Sequence, residues 1–357
     1  MSYYLDRQRE EVSRLLAAAG LALDPSEIRD VEPGQDYDLA VPLFRLAKER
    51  RANPAELARE VGSRLGLSPA PFAAIQPAGG YVNFTLDPAR LAVEVFADYS
   101  RAPLDYGRRT DGSGRTVVID YSSPNIAKPF SVGHLRSTII GQALHNILSF
   151  LGWRVIGDNH LGDWGTQFGK LLCAWSRWGE EAKLEQNPTE HLLELYVRFH
   201  DEAQTSPALE PEARDWFRRL ETGDPQARQL WQRFVELSTA EFERIYNLLG
   251  VSFDSVLGES FYEDRLAGVI SRALASGVAR EETAEDGSGK VVLIPLDSAG
   301  IKTPLLLRKS DGTSLYATRE IATAEYRLET WHPEKMLYVV GNEQELYFRQ
   351  VRAALAL

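Results

Sequence analysis

The stretch from Val117 to Gly157 constrains this chain most. Val117-Val-Ile-Asp-Tyr121 is a short, apolar, β-branched run, the composition of a strand buried on both faces. A polar loop follows it. A helix is then expected from about His134 to Leu151, and a second strand at Arg154-Val-Ile-Gly157. Strand, loop, helix and strand make a βαβ unit, which predicts an α/β fold built on an open, doubly wound parallel sheet. In such sheets ligands bind beyond the carboxyl ends of the strands, so the loop after Tyr121 is the first place to look for a site.

The flanking segments fit around this unit. Residues 1–110 read as a small α+β domain. Val12, Leu15, Leu16 and Ala19 share one face of a helix spanning Asp6 to Ala19, and Leu39 to Lys48 is a second amphipathic helix candidate. Asn53 caps a third helix with Pro54 in its first turn. Gly79-Gly80 introduces an alternating strand, Tyr81 to Leu86. Thr110-Asp-Gly-Ser-Gly-Arg115 is a loop by composition and marks the boundary to a second domain, 111–357. Within that domain, residues from about 180 to 250 are helical by pattern and are expected as an insertion between the two halves of the sheet. Strand signals return at 290–295, 305–309 and 336–341. The sequence stops at Leu357 inside an amphipathic helix with no cap, glycine or polar tail, as expected of a fragment.

Composition narrows the function classes. Of 357 residues, 44% are hydrophobic and 25% charged, which excludes a disordered tail or a fibrous repeat. A net charge of −11 excludes a polybasic nucleic-acid coat, although a local basic groove can sit on an acidic protein. Cys173 is the only cysteine, so neither a disulfide framework nor a cysteine zinc site is expected, and the scattered histidines suggest no metal centre. The charged N-terminus is not a secretory signal, and no apolar stretch reaches bilayer-spanning length, so a cytoplasmic protein is expected.

The chemistry is concentrated in Asp120-Tyr-Ser-Ser-Pro-Asn-Ile-Ala-Lys-Pro-Phe-Ser-Val-Gly-His134-Leu-Arg-Ser-Thr-Ile-Ile-Gly141. Gly133 lets a ligand approach the backbone, and the free amides at a helix start favour anions. His134 adds a donor for a phosphate oxygen and Lys128 a mobile positive charge. This equips the loop to hold a nucleoside triphosphate without a Walker sequence, which the chain lacks. The plainer alternative is that Ser131 only caps the helix and His134 is a surface histidine.

The long matching context favours the first alternative. The segment resembles the "HIGH" signature of class I aminoacyl-tRNA synthetases, specifically that of the arginyl-tRNA synthetases. His160-Leu-Gly-Asp-Trp-Gly-Thr-Gln-Phe-Gly169, Lys309-Ser-Asp-Gly-Thr-Ser-Leu-Tyr-Ala-Thr-Arg-Glu320 and Tyr338-Val-Val-Gly-Asn-Glu-Gln344 resemble further motifs of that family, in order. The resemblance implies a Rossmann-like catalytic domain and a ligase that activates L-arginine with ATP and Mg2+. The arginyl-adenylate then passes to the 2′-hydroxyl of the terminal adenosine of tRNA(Arg). It also implies a monomer and no tightly bound cofactor. Positioning and stabilisation of phosphate charge would supply most of the rate.

By the same resemblance, Ser131, Gly133 and His134 fall at the ATP phosphates, with His134 and Lys128 as the catalytic pair. Asp120, Ser122, Ser123, Asn125, His134, Tyr316, Glu320 and Gln344 surround the amino acid. Tyr81 and Asn83 of the N-terminal domain fall where the family contacts the D-loop corner of tRNA. A buried carboxylate can grip a planar guanidinium bidentately, which a lysine ammonium cannot match. Plainer alternatives stand beside each: a loop cap for Asp120, a turn for Asn125, a core ring for Tyr316, a solvated helix charge for Glu320, strand packing for Tyr81. Asp163 and Trp164 are expected to support the pocket, and Trp153, Trp175 and Trp178 to be core or interface residues.

Three departures from the family pattern stand out. Ser131 replaces the opening histidine of the signature, Glu320 an aspartate, and no lysine-rich KMSKS loop or anticodon-binding domain is present. The chain alone is therefore expected to turn over weakly or not at all. A non-catalytic paralogue that binds arginine or tRNA is the second reading, and a different nucleotidyltransferase acting on a small acid the third.

Overall fold

The structure is a computed structural model that describes residues 3–31, 34–66, 71–284, 287 and 289–357. The chain divides into two compact units, Met1–Arg109 and Thr110–Leu357.

The first unit packs helices against an antiparallel sheet. Helix α1 (Tyr4–Ala18) leads through β1 (Arg29–Asp30) and β2 (Leu39–Pro42) to α2 (Phe44–Arg50) and α3 (Pro54–Leu65). Strands β3 (Phe72–Ala78) and β4 (Tyr81–Leu86) and helix α4 (Pro88–Arg101) complete it, with strand order β1-β2-β4-β3. The Asn53 carboxamide caps α3 as expected, accepting from the Ala55 amide at 2.8 Å. The segment Leu39 to Lys48 corrects the sequence reading. Its first four residues are a strand in register with β4, pairing Leu39 with Phe84 and Val41 with Val82. Pro42 has no N–H to donate inside a helix, so the helix begins only at Phe44. Val12, Leu16, Val41, Val82 and Phe84 form the centre of this core.

The second unit holds the parallel sheet. Strand β5 (Thr116–Asp120) runs into α5 (Val132–Phe150) and returns in parallel as β6 (Arg154–Asn159), the expected βαβ unit. Helices α6 (Thr166–Trp178), α7 (Glu181–Gln186), α8 (Pro188–Thr205), α9 (Leu209–Glu221) and α10 (Pro225–Leu249) follow, so the stretch expected to be helical is so. Then come β7 (Ser255–Val256), α11 (Glu263–Ala275), β8 (Arg280–Thr283), β9 (Lys290–Ile294), β10 (Leu305–Arg308), α12 (Tyr316–Trp331), β11 (Lys335–Tyr338) and α13 (Glu345–Leu355). The parallel sheet has the order β11-β5-β6-β7.

Strands 290–295 and 305–309 were expected to rejoin that sheet, and they do not. They pair antiparallel in a separate three-stranded sheet, β10-β9-β8. The links between these strands are too short to carry the crossover a parallel pair needs. Only β11 joins β5. The chain leaves β5 toward β6 and later adds β11 on the other side, so a topological switch point lies between β5 and β11. Among the described residues no helix is long and apolar enough to cross a membrane.

Candidate active site

The loop leaving β5 is held in an unusual backbone conformation. Ser122, Ser123 and Ala127 all have left-handed φ values, +74°, +46° and +63°. Each such residue costs on the order of 1 kcal/mol or more, and persists where the surroundings fix it. Here they do. The Ser123 amide donates to Asn159 Oδ1 at 3.0 Å, and its hydroxyl to Asp120 Oδ1 at 2.7 Å. The Ala127 amide donates to Ser238 Oγ of α10 at 3.1 Å. Asn125 forms a parallel bridge with Gly162, where any side chain would collide with the Asn125 carboxamide.

The loop ends in a capping box. The Ser131 amide donates to His134 Nδ1 at 3.0 Å and the Ser131 hydroxyl lies 3.1 Å from the same nitrogen. Burial, and then the charge of Lys128, pull the His134 pKa below the ordinary histidine value. The neutral ring thus accepts at Nδ1 and carries its proton on Nε2.

A cavity of about 710 Å3 opens at the carboxyl ends of β5 and β11. Its lining includes Ser122, Ser123, Asn125, Gly133 and His134 from the loop and the start of α5. It also includes Tyr316, Arg319 and Glu320 from α12, with Gln344, Tyr347, His160 and Glu259. Glu320 is 2% exposed and its Oε1 has no partner among the described residues. Burial raises its pKa, opposed by His160. Glu259 is likewise pushed up, to about 7, mainly by burial, with His160 and Arg319 pulling down and Asp163 and Glu320 pushing up. His160 Nδ1 lies 3.1 Å from the Leu257 carbonyl, which leaves its buried Nε2 without a partner. A pocket with two under-paired carboxylates, flanked by phenols, suits a cationic ligand with several N–H donors.

The comparisons with known proteins agree on one family. A family model described as tRNA synthetases class I (R), catalytic domain, matches residues 104–356. One described as arginyl tRNA synthetase N terminal domain matches residues 6–86. The chain belongs to the arginyl class I tRNA synthetases. Curated arginine–tRNA ligases of Streptococcus equi subsp. equi (strain 4047) and Streptococcus pyogenes serotype M5 (strain Manfredo) are 46% and 45% identical over 318 residues. That aligned stretch covers 89% of this chain and 55% of each relative, so the chain spans about half the length of the relatives it matches. The arginyl-tRNA synthetase of Plasmodium falciparum has the same fold, with a TM-score of 0.70 at 21% identity over 97% of this chain and 61% of its own. That of Thermus thermophilus gives 0.57 at 25% identity, over 90% and 53%.

Within this synthetase fold, Asp120, Ser122, Ser123, Asn125, Gly133, His134, Tyr316, Glu320 and Gln344 all line one cavity. Besides Ser123 and His134, two others are already engaged. Asp120 Oδ2 accepts from Arg327 Nη2 at 2.6 Å, and Ser122 Oγ lies 2.8 Å from the Tyr246 hydroxyl. Lys128 and Ser131 are not among the lining residues. The Lys128 ammonium sits 5.6 Å over the ring of Tyr196, on α8, and Ser131 serves as the helix cap. In the first unit, Tyr81 packs edge-on against Phe44 with ring centroids 5.0 Å apart. Asn83 is buried on β4, its Oδ1 without a partner.

Sequence reasoning missed Glu259, His160, Arg319 and Tyr347. His160 stood inside a quoted motif and could have been taken from it. Glu259 carries no such signal, since it follows Gly258 at the start of a single 3-10 turn, Glu259–Tyr262. Trp164, expected to support the pocket, lines it, and Asp163 is bonded to the turn that carries Glu259. The Asp163 carboxylate accepts from the Ser260 amide at 2.8 Å and hydroxyl at 2.6 Å, and Trp164 stacks edge-on against Trp231.

Proposed function

We propose that the cavity binds L-arginine and ATP, and that the chain is the arginine-recognising part of an arginine–tRNA ligase. In this reading the enzyme forms arginyl-adenylate with ATP and Mg2+ and transfers arginine to the terminal adenosine of tRNA(Arg). The observation that carries the reading is the pair Glu259 and Glu320. Both carboxyls face one cavity, neither in a salt bridge among the described residues, beside the phenols of Tyr316 and Tyr347. A guanidinium presents five N–H donors and a fixed positive charge, the complement of that lining.

The roles divide among the lining residues. Glu259, Glu320 and Tyr316 hold the guanidinium, while Asn125, Gln344 and the Ser122–Ser123 turn hold the α-amino and carboxylate end. His134, with Nε2–H free to donate, and the Gly133 backbone meet the ATP phosphates. In the first unit, Tyr81 with the neighbouring Asn83 contacts tRNA. A monomer working in the cytoplasm accompanies the reading.

Calorimetric titration of the chain with arginine, citrulline and lysine tests it. Arginine is expected to bind, while citrulline, which keeps the shape and loses the charge, and lysine, which loses the fork, are not. Equal binding of citrulline, or none of arginine, overturns the reading. Arginine-dependent exchange of pyrophosphate into ATP, with and without tRNA, separates a ligase from an arginine-binding paralogue.

A further inference from the structure

Arg327 is the largest fully buried side chain of the molecule among the described residues, and it lies behind the cavity rather than in it. Its Nη2 donates to Asp120 Oδ2 at 2.6 Å, and its Nε to Asp158 Oδ2 at 2.9 Å. These two aspartates are direct neighbours in the β5–β6 register. Like charges paired across adjacent strands repel, and the guanidinium lies where it offsets that repulsion. Stability alone does not explain the arrangement. A buried ion pair gains little over an apolar replacement of the same shape. This one is also incompletely satisfied, because Arg327 Nη1 and Asp158 Oδ1 have no partner among the described residues.

Through Asp120 the guanidinium is linked to the strained loop. Asp120 offers Oδ2 to Arg327 and Oδ1 to the hydroxyl of Ser123, whose amide is held by Asn159, the residue after Asp158. Two residues further on is Asn125, which lines the cavity. We propose that Arg327 is a positioning residue for the cavity, locking the carboxyl ends of β5 and β6 together so that Asp120 holds the left-handed turn at Ser122 and Ser123 and presents Asn125 to the ligand. The same contact engages Asp120 internally and leaves Glu259 and Glu320 as the carboxyls open to a cationic ligand. The inference rests on the reading of the cavity as an arginine site.

The experiment compares the whole chain with Arg327→Lys and Asp120→Asn by hydrogen exchange and by arginine titration. Lysine keeps the charge but cannot fork between two carboxylates. Faster exchange of the amides between Tyr121 and Lys128, by about tenfold and confined to that stretch, is expected, with arginine affinity lower by on the order of tenfold. The affinity losses of Arg327→Lys and Asp120→Asn are expected not to add, since both act through one contact.

Unchanged exchange in the loop, acceleration spread over the whole of residues 110–357, or additive losses overturns the proposal. If Arg327→Lys does not fold, Asp120→Asn alone gives the same exchange readout with the same two outcomes. If the unaltered chain binds no arginine, it is the reading of the cavity that fails. The exchange of the loop still decides the role of Arg327.

Discussion

The Ser131 amide donates to Nδ1 of His134 across 3.0 Å, and this one bond decides which nitrogen of the ring is left to meet a ligand. An imidazole that accepts at Nδ1 is neutral with its proton on Nε2, or else breaks the bond. Burial and the charge of Lys128 favour the neutral form. Ser131 therefore orients the histidine, although the family signature has a histidine in its place.

His134→Ala is expected to weaken ATP binding by about tenfold, the value of one lost hydrogen bond to a charged acceptor. His134→Asn, whose carboxamide can still accept from the Ser131 amide, loses less on stability. Calorimetric titration with ATP and thermal unfolding measure the two effects separately. Proton NMR of the ring is expected to give a titration midpoint below that of an ordinary histidine.

On the proposed reading, Glu259 is expected to make arginine binding pH-dependent. Its pKa stands near 7 in the folded chain because burial outweighs His160 and Arg319. Arginine needs the ionised carboxylate, so affinity is expected to rise with pH between about 6 and 8 and then level off. Stability runs the opposite way. A carboxyl whose pKa is raised by folding destabilises the fold as pH climbs from the ordinary carboxylate range through 7. Glu259→Gln is expected to gain on the order of 2 kcal/mol at pH 8 and almost nothing at pH 4 while losing arginine affinity. Denaturant unfolding at the two pH values checks the sign.

The first strand, its helix and the second strand were legible because burial on both faces leaves a continuous apolar run. The same kind of run at Lys290 and at Leu305 was misassigned, since a strand's composition does not record which sheet it joins. That depended on link lengths around β9, not on the strands themselves. Leu39-Ala-Val-Pro42 fits either a helix or a buried strand, and Pro42 was the discriminating residue. In the site, the motif residues were legible as a group. Glu259 and Arg327 were not, because their role comes from contacts across distant parts of the chain. No local spacing reports that Arg327 reaches Asp120 and Asp158.

Glu320 is the most buried of the cavity's carboxyls. It is 2% exposed with one oxygen unpaired. Glu320→Gln keeps the volume and removes the charge, so arginine binding is expected to fall by roughly a hundredfold, the scale of a truncated buried ion pair. Glu320→Asp restores the family's residue but shortens the reach, and is expected to retain part of the affinity. Titration with arginine orders the three chains. A glutamine variant that binds as the unaltered chain does would remove Glu320 from the site.

Lys128 provides a control. Its ammonium lies over Tyr196, away from the lining of the cavity, yet its charge is felt by His134. Lys128→Ala is expected to leave arginine affinity within about twofold, the effect of removing a screened charge from a solvated site. The same change should raise the titration midpoint of His134, because a repelling positive charge is gone. NMR titration of the ring and calorimetry with arginine read the two expectations on the same sample.

Gly258 and Asp163 set where Glu259 points. The Asp163 carboxylate caps the short turn that starts at Glu259 by accepting from both the amide and the hydroxyl of Ser260, and its own backbone oxygen accepts from Trp231 Nε1 at 2.7 Å. Any side chain at Gly258 would run into that carboxylate. Gly258→Ala must therefore push the turn away from its cap, at about 1–3 kcal/mol for an overpacked site. The displaced neighbour is Glu259, so arginine affinity should fall as well. Asp163→Asn keeps the shape and an acceptor for the Ser260 amide. It is expected to lose about 1 kcal/mol, the value of a weakened cap, with a smaller loss of affinity. Denaturant unfolding and arginine titration of both variants test the link. If Gly258→Ala destabilises the chain yet binds arginine unchanged, the turn does not position Glu259.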